Sequence, residues 1–202
     1  MMYETVSGRC LEIGDFKMTT LETSRLIIRN FQVDDWEALR TMILQYEASA
    51  YAIYDHEWPT SPEEIRRITE WFAAGDSYFA VRLKGNSRFV GFVSLNLSPT
   101  ADCETFNLGY CFNFEYHGQG YATEGCQAAI GHAFDQLHAG RVVASTAAEN
   151  RPSCRLLERL GLTKTAESTS SFRKAQDGSP IAFVSYAYAI SRGEWEAKSK
   201  RT

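Results

Sequence analysis

The chain has 202 residues, a formal net charge of −4, 44% hydrophobic and 23% charged residues, a balance that describes a soluble globular domain large enough to bury a core. No apolar run approaches the length of a membrane-spanning helix, and the acidic balance provides no basic footprint for nucleic acid or an anionic membrane surface, so neither is expected as a partner. Five cysteines (Cys10, Cys103, Cys111, Cys126 and Cys154) make no C-x-x-C pair and no zinc-like spacing with histidine. With no signal-peptide pattern at the N-terminus they read as thiols in a reducing cytoplasm, and no metal site is expected.

Residues 1–19 carry no clear periodicity and are taken as an N-terminal extension. The run Leu21 to Asn30 reads as a strand, and Asp34 is placed to cap a helix in which Trp36, Leu39, Met42 and Ile43 recur at helical spacing. Residues 46–60 read as a tyrosine-rich loop. Ser61-Pro62-Glu63-Glu64 then supplies an N-cap serine, a proline at the first helical position and a capping-box glutamate, ahead of an apolar face of Ile65, Ile68, Trp71 and Phe72. Strands are expected at 78–83 and 89–97, joined through Gly85-Asn86-Ser87, with Pro99 at the exit and a further strand at 105–114. A helix from about residue 120 to 138 is expected to end at Gly140 as its C′ glycine. The strand 141–146 follows across that helical crossover and is expected to run parallel to 105–114. Asn150 caps the next helix and Gly161 ends it. Strands near 163–169 and 181–190 complete one domain over residues 20–192, and a charged tail, 193–202, is expected to fray.

The stretch from Phe112 to Glu124 passes from strand through a glycine turn into a helix. Gly118 and Gly120 let the backbone turn tightly and bare its amides. The unpaired N–H groups and partial positive charge at the start of the helix make an anion cradle suited to phosphates. A P-loop needs a Lys-Ser or Lys-Thr pair after its glycines, and a Rossmann turn needs a third glycine where Thr123 stands; both are missing here.

The segment His117-Gly118-Gln119-Gly120-Tyr121-Ala122-Thr123-Glu124 resembles the acetyl-CoA pyrophosphate loop of the GNAT N-acetyltransferases, in particular the branch that includes the ribosomal-protein alanine acetyltransferases. Glu22 to Arg29, Val90 to Val93 and Asn107 to Tyr110 resemble that branch's first, third and fourth strands, and Asn150-Arg151-Pro152-Ser153 through Leu162 resembles the helix after its fifth. The resemblance implies an α/β (α+β) fold: a mixed, mostly antiparallel sheet of about seven strands with flanking helices, splayed between the fourth and fifth strands. It implies transfer of acetyl from acetyl-CoA, as co-substrate, to a primary amine by direct attack in a ternary complex. The acceptor would be a protein N-terminus or a small molecule, and the protein a cytoplasmic monomer or homodimer.

The same resemblance places acetyl-CoA against His117, Gly118, Gln119, Gly120, Tyr121, Ala122 and Thr123, with its pantetheine arm along Cys111 and Phe112 and in contact with Asn150. A free backbone N–H near Cys111 and Phe112 would suit a developing oxyanion. Ser153 resembles a serine held near the thioester sulfur, since Leu157 occupies the place where other members carry a tyrosine; it serves equally well as a first-turn serine satisfying helix N–H groups. The glutamate common on the fourth strand is Asn107 here, so a general base is sought in Glu104, in His56 or Glu57, or in a water relay. Tyr46, Tyr51, Tyr54 and Trp58 lie where the family builds its acceptor wall. Two alternatives stand beside this reading: a Cys111–His117 nucleophile pair, and a degenerate domain that binds acyl-CoA as a sensor or scaffold without turnover.

Overall fold

In the computed structural model, which describes residues 20–98 and 104–199, one sheet takes every strand. The strands are β1 (Leu21–Glu22), β2 (Leu26–Asn30), β3 (Tyr78–Leu83), β4 (Phe89–Leu97), β5 (Thr105–Phe112), β6 (Arg141–Ala147), β7 (Thr163–Ser170) and β8 (Phe183–Ser191), and their spatial order is β1-β2-β3-β4-β5-β6-β8-β7. The helices are α1 (Trp36–Glu47), α2 (Pro62–Ala74), α3 (Tyr121–Asp135), α4 (Arg151–Leu160) and α5 (Arg192–Ser199). The mixed, mostly antiparallel sheet is as expected; the described residues hold eight strands because the run 21–30 breaks at Thr23-Ser24-Arg25. Residues 1–19 and 200–202, Pro99, Cys10 and Cys103 lie outside the described residues.

Alternation along the strands divides the apolar residues between two faces. Leu26, Ile28, Val81, Leu108 and Phe112 pack under α3 and α4, where Cys126, Ile130, Phe134, Leu157 and Leu160 close one core. Phe31, Ala80, Phe89 and Phe92 face Leu39, Met42 and Ile43 of α1 and Ile65 and Phe72 of α2, which close the other. Trp71, read as part of the apolar face of α2, is 63% exposed and only flanks the rings of Phe72 and Tyr78.

Three local expectations change. The chain enters α1 through a 3-10 turn, Val33–Asp35, and the carboxylate that receives the Gln32 N–H, at 2.8 Å, belongs to Asp35 rather than Asp34. Helix α3 stops at Asp135, and Gly140 instead gives its N–H to the Glu104 carbonyl at 2.9 Å. The tail forms α5, because Trp195 has the Phe134 ring to pack on, with centroids 5.9 Å apart, and Lys198 Nζ donates to the Arg159 carbonyl at 2.7 Å.

Strands β5 and β6 are the parallel pair, joined across α3, but their register covers only Thr105↔Arg141, Phe106↔Val142 and Asn107↔Val143. Beyond Asn107 they diverge. β5 stays with β4 as far as Phe112, and β6 stays with β8 as far as Ala147, so a wedge opens in the middle of the sheet.

Asp35 ties the front of the domain together. Only 3% exposed, it receives Arg29 Nη1 and Nη2 at 2.8 and 3.0 Å and Arg82 Nη1 at 3.1 Å. Asp35→Ala would leave two partly buried guanidinium groups without their counter-charge, and we expect a loss of about 2–4 kcal/mol, measured as a shift of the urea midpoint at unchanged slope.

Candidate active site

The wedge leaves backbone groups of β5 without a neighbouring strand. The β4–β5 ladder is anchored by the Ser98 N–H to the Thr105 carbonyl at 2.8 Å and by the Asn113 N–H to the Val90 carbonyl at 2.9 Å. Alternation in an antiparallel ladder therefore turns the backbone groups of Asn107, Gly109 and Cys111 towards β4 and those of Leu108, Tyr110 and Phe112 towards the wedge. The Phe112 carbonyl accepts from His117 Nε2 at 3.0 Å. The N–H groups that face open space thus belong to Tyr110 and Phe112, and the expected contribution of Cys111 is removed by its pairing with Phe92.

At the end of β5 the chain makes a 3-10 turn, Phe114–Tyr116, capped by Asn113, and then the glycine loop. Gly118 and Gly120 have φ of +75° and +82°, left-handed values that a side chain resists. Gly120 is also the N-cap of α3 and has no side chain to offer the first turn. The N–H groups of Tyr121, Ala122 and Thr123 are therefore left for a ligand, which is the anion cradle read from the glycines. Ser61 and Asn150, by contrast, cap α2 and α4 with their own oxygens.

Glu124 holds this loop in place. Its Oε1 accepts from Thr23 Oγ1 at 2.6 Å, Ser24 Oγ at 3.0 Å and the Arg25 N–H at 2.9 Å, and its Oε2 from Arg25 Nε at 2.6 Å. Arg25 Nη1 reaches on to the Gln119 carbonyl at 2.9 Å, and its guanidinium lies 4.6 Å above the Tyr121 ring. Burial pushes the Glu124 carboxyl up, but the bonds from Thr23, Arg25 and Ser24 outweigh it and hold the group at about 2, against an ordinary 4.5.

Two cavities of about 500 Å³ each open on the wedge. The first is walled by the glycine loop, the first turns of α3 and α4, and the end of β5; Arg159, whose Nη1 donates to Thr123 Oγ1 at 3.2 Å, and His117 are its basic side chains. The second is walled by the α1–α2 connection, β4, β5, β6 and β8, and includes Tyr54, Trp58, Asn96, Asn107 and Ser145. Tyr46, Tyr110, Cys111, Asn150 and Ser153 line both, so the two chambers meet there.

A hydroxyl pair marks the junction: Tyr110 Oη and Ser153 Oγ are 2.7 Å apart. Burial pushes the Tyr110 phenol up, so it stays protonated at neutral pH and retains a proton to donate. The Ser153 N–H goes to Asn150 Oδ1 at 3.3 Å, an N-cap that fixes the serine at the mouth of α4. Burial, with the Asp55 charge nearby, pushes the Cys111 thiol up to about 12. That value, and the use of His117 by the Phe112 carbonyl, disfavour a thiolate–imidazole pair.

The structure brings Cys111, Phe112, His117, Gly118, Gly120, Tyr121, Ala122, Thr123, Asn150, Ser153 and Tyr51 to the first cavity, and Tyr54 and Trp58 to the second. Gln119 lines neither; its side chain turns back to the Glu115 carbonyl at 3.3 Å. Glu104 sits at the closed end of the wedge beside Gly140, and the His56 ring is exposed against Phe172, with centroids 4.5 Å apart. Tyr110 and Arg159, and in the second cavity Asp55, Asn96 and Ser145, are site residues that the sequence reading did not single out. The signal for Tyr110 was its position two residues before Phe112 on the strand that enters the glycine turn; Arg159 carries none, because its place depends on how α4 meets α3.

An acetyltransferase (GNAT) domain model matches residues 25–163, more than half of the chain. The chain is 25% identical over 177 residues to the uncharacterized N-acetyltransferase YnaD of Bacillus subtilis, a match covering 87% of this chain and 98% of the relative. It is similar to the crystal structure of an acetyltransferase (GNAT family) from Bacillus anthracis, at 27% identity and a TM-score of 0.72 over 86% of this chain and 98% of that one. At 16% identity it shares the fold of the spermidine N-acetyltransferase from Vibrio cholerae, solved with CoA and spermine, with a TM-score of 0.70 over 86% and 99% of the two chains.

The low pKa of Glu124 sets a pH signature. Its stabilisation is fully present above the unfolded value of 4.5 and is lost as the pH falls towards about 2. Glu124→Gln should cost on the order of 3 kcal/mol at pH 7, and the gap to the unsubstituted protein should narrow as urea melts are repeated from pH 5 down to pH 3.

Proposed function

The chain belongs to the GNAT acetyltransferase family, and from that premise we propose that it transfers the acetyl group of acetyl-CoA to a primary amine, the donor occupying the first cavity and the acceptor the second. The observation that carries this reading is the Tyr110–Ser153 hydroxyl pair among the residues that line both chambers. A thioester lying there is reachable from the acceptor side by a nucleophile and from α4 by a proton.

The donor's pyrophosphate is assigned to the uncapped N–H groups of Tyr121, Ala122 and Thr123, with Arg159 supplying a full positive charge. Its pantetheine arm runs along the wedge edge of β5 and bonds the free backbone groups of Tyr110 and Phe112 as an added strand would. CoA bound to the Vibrio cholerae enzyme of the same fold supports this donor. The cytoplasm is the expected compartment, since that is where acetyl-CoA and a reduced thiol such as Cys111 coexist.

The amine nitrogen attacks the thioester carbon, and the oxygen gathers negative charge against a backbone N–H at Tyr110 or Phe112. The carbon–sulfur bond then breaks, and the departing thiolate takes a proton from the Tyr110–Ser153 pair. The pair recovers that proton from solvent. Glu104 and His56 line neither chamber, so the proton shed by the amine is assigned to water among Asn96, Asn107 and Ser145. Attack is direct, and no acetyl group passes through the protein. The acceptor is a small amine or a protein N-terminus.

Release of free thiol from acetyl-CoA in the presence of amines tests the reading. Ser153→Ala and Tyr110→Phe should each lower kcat by about 10- to 100-fold, with the double variant little worse than the poorer single one, because the two hydroxyls act as a unit. The Kd for CoA, by calorimetry, should change by less than about threefold. Full kcat in both single variants would remove the proton-donor role; failure to bind CoA at all would remove the donor assignment.

A further inference from the structure

The two chambers carry opposite charge. Among the described residues the first is lined by Arg159 and His117 and by no carboxylate, as an anionic donor requires. The second is lined by one carboxylate, Asp55, and by no lysine, arginine or histidine. The rest of its wall divides between uncharged polar groups, among them Asn96, Asn107 and Ser145, and an aromatic side in which Tyr54 meets Phe183 edge-on at 5.2 Å, Phe183 meets Phe172 at 5.6 Å, and Trp58 meets Phe92 edge-on at 6.3 Å.

We propose that Asp55 is the counter-charge for the acceptor, and that the acceptor is a monocationic primary amine on an aromatic or apolar body with no carboxylate beside the nitrogen. This rests on the second cavity being the acceptor chamber. Asp55 Oδ1 accepts its own loop's His56 N–H at 2.7 Å, an attachment that orients the carboxylate and leaves its second oxygen for a ligand. An ammonium between that oxygen and the rings of Tyr54 and Trp58 is met by both a charge and aromatic faces, and it gives one proton to solvent through the chamber's water before the neutral nitrogen attacks and sheds the second. A substrate carboxylate in the same chamber would face Asp55 with no cation to receive it. A second, distant ammonium would find no second carboxylate among the described residues that line the chamber.

The wall is built before the ligand arrives. Arg173, from the connection between β7 and β8, donates Nε to the Asp55 carbonyl at 2.8 Å and Nη2 to the His56 carbonyl at 3.1 Å. The same guanidinium grips Glu47 at the end of α1 through two bonds of 2.9 and 2.8 Å, and Glu47 Oε1 accepts the Trp58 N–H at 3.1 Å. The positive charge of Arg173 is thereby spent on Glu47 and backbone carbonyls, and the Asp55 carboxylate keeps its own for the chamber.

Steady-state acetylation of phenethylamine, phenylalanine and spermidine by the full chain, with the Kd for CoA measured in parallel, tests the assignment. Phenethylamine should be used with at least about tenfold higher kcat/KM than the other two, and Asp55→Asn should raise its KM by about 10- to 100-fold with the Kd for CoA held within twofold. Asp55→Glu should recover part of that loss, which a merely structural aspartate would not require. Equal use of phenylalanine, preference for spermidine, an unchanged KM in Asp55→Asn, or CoA binding without turnover of any of the three would overturn the acceptor assignment and leave the donor site standing. Loss of CoA binding in the unsubstituted chain would overturn the donor reading on which it rests.

Discussion

Everything at the site depends on a parallel pairing that stops after three residues. Had β5 and β6 stayed together past Asn107 and Val143, the sheet would be continuous, and the backbone of Tyr110 and Phe112 would be satisfied by β6. Because the strands part, those groups need another partner, and a buried N–H without one is costly. In the proposed reading one extended ligand arm supplies it. The divergence also creates the space into which the first turn of α4 points, so that Asn150 and Ser153 reach the middle of the sheet from outside the strands.

Two side-chain clamps, each joining segments far apart in the chain, hold the edges of that opening. Glu124 fastens the glycine loop to the turn between β1 and β2, bridging about a hundred residues, and Arg173 fastens the α1–α2 connection to the one between β7 and β8, bridging more still. Both are charge-assisted, multiply bonded and mostly shielded, with side-chain exposures of 15% for Glu124 and 18% for Arg173. Such pairs place loops more firmly than an exposed ion pair does, because each also satisfies backbone groups that would otherwise be bare. They leave the middle of the wedge free and fix the walls on either side of it.

Much of this was legible beforehand. The glycine spacing, the N-cap of Asn150, the capping serine of α2 and the crossover through α3 are local signals, set by φ preference and by short hydrogen bonds that a side chain makes to its own helix end. They predicted the anion cradle and the parallel pair, while the placing of Ser153 came from the family resemblance. The misses share a different character. Gly140 was read as a helix terminator and is a contact for Glu104; the charged tail was read as frayed and is a helix, because the ring of Phe134 gives Trp195 a surface to pack on. Glu104 and His56 were chosen for having suitable chemistry, and it is the fold that turns each away from the chambers.

The sequence by itself determined most of the element order, the family and the glycine loop suited to an anion, since each rests on short stretches of neighbouring residues. Only the tertiary structure decided which hydroxyl faces Ser153, which N–H groups of β5 are free, and that among the described residues Asp55 alone charges the second chamber. Those facts depend on strand register and on contacts across dozens of residues. Shifting β5 by one residue would set Cys111 in place of Tyr110 opposite Ser153, and no local pattern in the chain records which of the two it is.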